Sequence, residues 1–316
     1  TVPGETLSSF PAGHPPSRPS RPPVWGADLE LQMEVEGEGG VQRRPPSSGD
    51  PATAAFHTAL ASLAPPPRGG APPTREDVVE VPGAFVARGL LDEGECAALA
   101  AALRVLHTQE KKQRLPGDRA GTAPRRDSQH HVPCRVEQAS LSALCARLRP
   151  LLPTQAGPKC PMPLEAPGGE VSSFLRCYWY KKGECSTPHY DRSFQEHDGD
   201  PAARGRGGRL ARASTYSLLI YLTDGGGAAG GATTFFKAPP AANVSRRGLT
   251  PVGLEGELEV TASVSPRRGD ALVFPHGNMP GCHPNPLHEG SIVMCDEKLL
   301  IRTDIVFRGV KAGAGR

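Results

Sequence analysis

The stretch "RCYWYKKGECSTPHYD" (residues 176–191) lies where the chain changes its pattern. From "EVSSFLRCYWY" (170–180) onward, short apolar runs alternate with turn residues: "STYSLLIYL" (214–222), "GGATTFF" (230–236), "LEGELEVTASV" (254–264), "DALVFP" (270–275), "SIVM" (291–294) and "KLLIRTDIVF" (298–307). Runs recurring every ~10–20 residues and bounded by Gly, Pro and Asp predict an all-β sandwich or barrel. Upstream the pattern is different. "VVEVPGAFVARGL" (78–90) alternates like a strand, and "LDEGECAALAAALRVL" (91–106) has the spacing of an amphipathic helix capped by Asp92. "QASLSALCARLRPLL" (138–152) predicts a second helix. The fold class is therefore mostly β with flanking helices, the helices packed on one face of a double-sheet barrel.

The first 75 residues hold 15 of the 35 prolines, in stretches such as "PAGHPPSRPSRPPVWG" (11–26). Such a composition buries too little apolar surface to offset chain entropy. An extended or disordered arm is expected over 1–75, with one short helix at "ATAAFHTALASLA" (52–64). The folded domain is expected over 76–310, as helical support (76–165) and a β core (170–310), with a flexible tail at 311–316. The formal net charge is only +3, from 36 basic and 33 acidic residues. Basic segments such as "RRDSQHHVPCR" (125–135) and "ARGRGGRLARAS" (203–214) read as solvated loops, and no nucleic-acid partner is expected. The eight cysteines lack CxxC spacing, against a zinc ribbon or a dithiol redox motif. No apolar run approaches the ~18 residues of a membrane span. The sequon at Asn243 is a pattern that arises readily by chance.

The opening stretch ends in His189-Tyr190-Asp191. On an extended strand, alternate residues share a face about 7 Å apart, so an imidazole and a carboxylate would point the same way and can hold one divalent metal. A third ligand must arrive from elsewhere. "GDALVFP" should end near Pro275, which leaves His276 at a strand end and His283 in a loop of turn residues. His288 opens "HEGSIVM" as a strand entry, and Lys298 follows ten positions later at the head of "KLLIRTDIVF". A hairpin between these two segments would set a cation beside whatever His288 binds. Two histidines and one carboxylate on one face, with open positions opposite, suit a non-haem Fe(II) centre that activates O2. A nearby cation suits a dicarboxylate co-substrate.

With these residues in view, the chain resembles the Fe(II)/2-oxoglutarate-dependent dioxygenases of the prolyl 4-hydroxylase and lysyl hydroxylase-like branch. Four segments carry the resemblance: "RCYWYKKGECSTPHYD", "YSLLIYLTDGGGAAGGATTFF", "VSPRRGDALVFP" and "HEGSIVMCDEK". With "FVARGLLDEGECAALAAAL" (85–103) as the opening helix, it covers roughly residues 80–309. The resemblance implies a double-stranded β-helix (jelly-roll) core supported by N-terminal helices. It also implies Fe(II), 2-oxoglutarate and O2 as cofactors, with ascorbate as reductant. His189, Asp191 and His288 match the iron ligands, and Lys298 matches the basic residue for the 2-oxoglutarate 5-carboxylate. Tyr221 matches an aromatic that contacts the same carboxylate in relatives. Arg302 departs from the branch. It shares a strand face with Lys298, Leu300 and Asp304, and three roles stand open: the carboxylate partner, an acidic-substrate contact, or a partner of Asp304. The spacing from His288 places Lys298 ahead of it. Tyr178, Tyr180 and Arg176 are candidate substrate-pocket residues, with core packing for the tyrosines and a surface position for Arg176 as the plainer readings. Gly230 and Gly231 serve a tight turn, and Thr233 is ambiguous.

The implied activity is hydroxylation of a substrate C–H bond with release of succinate and CO2. The substrate is a protein, peptide or small molecule, peptidyl proline among them. Two other readings use the same residues: a non-catalytic metal-binding barrel acting as a binding module, and a cupin-like barrel holding another metal such as manganese.

Overall fold

A computed structural model describes residues 51–64, 71–113, 131–198, 209–237, 258–277 and 279–309. Most of the proline-rich arm, the 311–316 tail, the sequon at Asn243 and parts of both basic segments lie outside them. In chain order the elements are α1 (Pro51–Ala61), β1 (Thr74–Asp77), β2 (Phe85–Arg88), α2 (Glu93–Gln113), β3 (His131–Arg135), α3 (Ser142–Leu148), β4 (Gln155–Gly157) and β5 (Cys160–Pro163). There follow β6 (Phe174–Lys181), β7 (Ser186–His189), β8 (Gln195–Asp198), β9 (Arg209–Tyr221), β10 (Thr233–Phe236), β11 (Val260–Val264), β12 (Ala271–Pro275), β13 (Leu287–Gly290) and β14 (Glu297–Arg308).

The larger sheet runs β1-β2-β12-β9-β14-β6-β3, with β8 added beside β9. The smaller runs β11-β10-β13-β7, and β4-β5 form a separate pair. Every pairing is antiparallel. Leaving aside the strands added at the edges, β6-β14-β9-β12 in one sheet and β7-β13-β10-β11 in the other form the eight-strand double sheet of a jelly roll.

Both faces of the large sheet are covered, and the sequence shows why. Along β14 the odd residues Leu299, Ile301, Ile305 and Phe307 join the core that the helices cover, while Leu300 joins the core between the sheets. Phe235, Phe274 and Tyr221 fill the latter core and are fully buried. Each such side chain contributes about 1.5–3 kcal/mol by leaving water. This double burial makes "KLLIRTDIVF" read as a nearly continuous apolar run, and it makes the even positions 298, 302 and 304 exceptional as charged groups inside.

The helices form where capping and spacing dictate. Asp92 and Glu95 make a reciprocal capping box: Glu95 N–H donates to Asp92 Oδ1 at 2.8 Å, and Asp92 N–H donates to Glu95 Oε2 at 3.0 Å. Cys96, Leu99, Leu103 and Leu106 then fall on one buried stripe. Arg147 of α3 grips the same Glu95 carboxylate with both terminal nitrogens, at 2.6 and 2.7 Å, tying α3 to α2. α1 is part of this layer, with Ala52, Phe56 and Leu60 buried at successive turns.

Four local expectations change. Residues 78–84 form turns between β1 and β2, because Pro82 has no N–H to give a sheet and Gly83 takes φ 86°. Only 142–148 of the second helix is α-helical; 3-10 turns flank it, the later one containing Pro150. "SIVM" is not a strand, since β13 ends at Gly290 and Val293 makes a single bridge to Gly230. β13 and β14 form no hairpin: β13 pairs with β10 and β7, β14 with β9 and β6. The intervening residues carry the chain from one sheet to the other, with Asp296 at φ 35° in the turn.

Candidate metal centre

Three strands in register build one side of the site. Phe235 on β10 pairs with His288 on β13, which pairs with His189 at the end of β7, so the three side chains share the inner face. The imidazoles lie 4.4 Å apart by ring centroid, and Phe274 meets His288 edge-on at 4.6 Å. Asp191 follows just beyond the strand and is buried. Its Oδ1 lies 3.6 Å from His189 Nε2 and 3.7 Å from His288 Nε2, and one ligand atom from each residue falls within 4.8 Å of the others.

The protonation pattern suits a cation. His189 Nδ1–H donates to Thr187 O at 2.7 Å, and His288 Nδ1–H donates to Pro286 O at 3.1 Å, which leaves both Nε2 lone pairs directed at the shared space. Burial pushes the His288 pKa down to about 3, outweighing the pull of Asp191, so the ring is neutral near pH 7. Burial alone would raise the Asp191 pKa, but the Arg302 guanidinium beside it holds it well below the usual carboxylate range. Two imidazoles with their Nδ1 atoms engaged by backbone carbonyls and one ionised carboxylate form a donor set for a divalent metal.

The facing sheet supplies cations. Lys298 is 4% exposed, and among the described residues no carboxylate lies within ion-pairing reach of its ammonium. Its Nζ sits 5.8 Å from the ring centroids of both Tyr180 and Tyr221. Burial pushes its pKa down to about 7. Arg302 is differently placed: its Nη2 lies 2.9 Å from Asp191 Oδ1 as an ion pair, and its buried Nε has no hydrogen-bond partner among the described residues. Burial opposes its charge, but Asp191, Tyr178 and Asp304 more than restore it.

A cavity joins these groups, lined in part by Tyr178, His189, Asp191, His288, Lys298 and Arg302. Tyr178 and Tyr180 stack in parallel at 5.6 Å, and both face the cavity. Tyr221 is fully buried behind it, sharing a hydrogen bond with Thr233 Oγ1 at 2.9 Å, and Thr233 forms part of the wall. Arg176 does not line the cavity. It is also no surface charge: its side chain is 24% exposed and lies 3.6 Å from Asp304 Oδ2. Gly230 and Gly231 take φ 64° and 73° in the turn before β10, and a side chain at Gly230 would strike Ile292 O.

Neither the protein families nor the curated proteins compared contain a match to this chain. Solved structures do match. The structural neighbours are prolyl 4-hydroxylase-like and 2-oxoglutarate-dependent oxygenases. A viral collagen prolyl hydroxylase from Paramecium Bursaria Chlorella virus-1, in complex with 2OG, aligns at 17% identity and TM-score 0.41, over 73% of this chain and 99% of that one. A Pseudomonas putida prolyl-4-hydroxylase aligns at 16% and 0.35, over 86% and 99%. HygX from Streptomyces hygroscopicus, with nickel and 2-oxoglutarate bound, aligns at 16% and 0.43, over 76% and 88%.

Two groups touching the site were not singled out from sequence. Ser217 of β9 donates to Asp191 Oδ2 at 2.5 Å, and Asn285 Nδ2 donates to Asp191 O at 2.7 Å. Ser217 had a faint signal, as a small polar residue alternating with Leu219 and Tyr221 along β9.

Proposed function

We propose that the protein is an Fe(II)- and 2-oxoglutarate-dependent dioxygenase that hydroxylates a C–H bond of its substrate, releasing succinate and CO2. One observation carries the reading: a His-Asp-His cluster whose two Nε2 atoms face Asp191 Oδ1 opens onto the same cavity as a buried lysine that has no counter-charge among the described residues. His189, Asp191 and His288 would hold the iron, and Lys298 would receive the distal carboxylate of 2-oxoglutarate. Lys298 is favoured over Arg302 for that role because Arg302 is already engaged by Asp191. Iron with 2-oxoglutarate bound supplies O2 activation coupled to oxidative decarboxylation of the co-substrate. The protein's share is orientation and shielding: Tyr180, Leu219 and Leu300 present largely buried walls, and Tyr221 and Thr233 brace the Lys298 end. Peptidyl proline is the substrate class to try first, on the resemblance of the four segments.

The test is succinate formation from 2-oxoglutarate with Fe(II) and ascorbate, over a panel of proline- and lysine-containing peptides. His189→Ala and Asp191→Ala are expected to abolish it. Undiminished succinate in either folded variant would reject the assignment.

A further inference from the structure

Asp191 has two carboxylate oxygens, and the fold treats them differently. Oδ1 faces both histidine Nε2 atoms and Arg302. Oδ2 faces away from them and accepts the Ser217 hydroxyl. Behind Ser217 stands His276, wholly buried at the end of β12: its Nδ1 lies 2.9 Å from Ser217 Oγ and its Nε2 lies 2.9 Å from Ser214 Oγ. We propose that His276 is a positioning residue for the metal centre, acting through Ser217 to hold Asp191 Oδ2 so that the carboxylate meets a divalent ion through Oδ1 alone. This rests on the metal-centre reading above and extends it to a residue that touches neither metal nor substrate.

The hydrogen-bond directions follow from valence. An ionised carboxylate only accepts, so the Ser217 proton goes to Asp191 Oδ2. Ser217 Oγ must then receive its 2.9 Å bond from His276, which puts the proton on Nδ1. A neutral imidazole carries one N–H, so Nε2 is bare and accepts the Ser214 hydroxyl. Ser214 Oγ in turn accepts Phe194 N–H at 3.0 Å, and Ser214 N–H donates to Phe194 O at 3.0 Å. The opposite tautomer would turn the Ser217 proton toward His276 and leave two lone-pair oxygens facing each other at 2.5 Å. This proton arrangement gives Asp191 Oδ2, Ser217, His276 and Ser214 a partner each.

The chain is anchored at both ends. His276 N–H donates to Thr215 O at 2.8 Å, Ser214 and Ser217 belong to β9, and Phe194 lies three residues past the ligand. Asp304 Oδ1, 3.8 Å from His276 Nδ1, is beyond hydrogen-bond reach and does not compete for that proton. A histidine satisfied only for burial could end its chain anywhere; this one ends on the oxygen opposite the metal-facing atom. If Oδ2 were released, the carboxylate could rotate to offer both oxygens to the ion, or neither.

The experiment is titration of the full chain with Co(II), read by affinity and by the visible d–d spectrum, for wild type, His276→Leu, His276→Asn and Ser217→Ala. His276→Leu and Ser217→Ala should weaken Co(II) about 10- to 100-fold, the usual loss for a partner behind a ligand, and shift the spectrum as the carboxylate changes denticity. His276→Asn keeps an N–H near the Nδ1 position and should stay close to wild type in both readouts. If His276→Leu fails to fold, Ser217→Ala decides alone. Wild-type affinity and spectrum in the folded Leu and Ala variants would overturn the proposal while leaving the metal centre standing. An Asn variant as weak as the Leu variant would also overturn it, by assigning the loss to packing. A wild type that binds no Co(II) removes the metal-centre reading itself, and this inference with it.

Discussion

Lys298→Met is the substitution with the clearest expected signature. The lysine is 4% exposed and its pKa falls from 10.5 to about 7 through burial. A group whose folded pKa lies below its unfolded one binds fewer protons when folded, so stability rises with pH between the two values. At ~1.36 kcal/mol per pKa unit, the ammonium costs the fold about 4 kcal/mol at pH 7 and below about 1 kcal/mol by pH 10. Methionine matches the stem's shape and removes the charge. The variant without ligand should therefore be more stable than wild type near pH 7, with the advantage shrinking as pH rises toward 10; urea unfolding across that range measures it. The same variant should bind 2-oxoglutarate about 10- to 100-fold more weakly in the Co(II)-loaded protein, because a charge-assisted contact of ~1.5–3 kcal/mol is lost. Greater stability joined to weaker binding marks a residue kept for its ligand. A variant with wild-type stability at pH 7 and wild-type affinity for 2-oxoglutarate would refute the reasoning.

Three other perturbations test separate parts of the structure. Arg302→Met leaves the buried Asp191 carboxylate without its nearest cation, which should lower stability by about 3–5 kcal/mol; because a divalent ion supplies the missing charge, the Co(II)-induced rise in Tm should exceed that of wild type, and equal rises would count against the Arg302–Asp191 pair. Phe56→Ala empties a fully buried site on α1 and should cost about 3–5 kcal/mol in a urea melt, whereas an unchanged midpoint would detach α1 from the core. Gly230→Ala sets a side chain at φ 64° and against Ile292 O, so a loss greater than ~1 kcal/mol is expected in thermal unfolding, and a neutral result would show that the turn relaxes.

How far the sequence could be read follows from which patterns are local. The strand face of β14 was legible because alternation within one run separates Leu299 and Ile301 from Lys298 and Leu300 without knowledge of any neighbour. The capping box of α2 was half legible, Asp92 standing immediately before the apolar stripe. Sheet membership was not local, and there the expectation failed: a spacing of ten positions from His288 to Lys298 read naturally as a hairpin, yet the two strands belong to opposite sheets. The cation thus reaches the cavity from the side facing the histidines. Nothing in the spacing distinguishes these cases, because a turn and a crossing between sheets draw on the same residues. The partners of Asp191 were hidden for a related reason. Ser217 and His276 lie 26 and 85 positions away and meet it only when β9 and β12 pair, so a serine in an apolar strand and a histidine after a proline each look ordinary alone. Metal ligands announce themselves by residue type, whereas the groups that orient them are defined by register. A search for such orienting groups should therefore begin from the strands that flank a candidate ligand, not from further motifs.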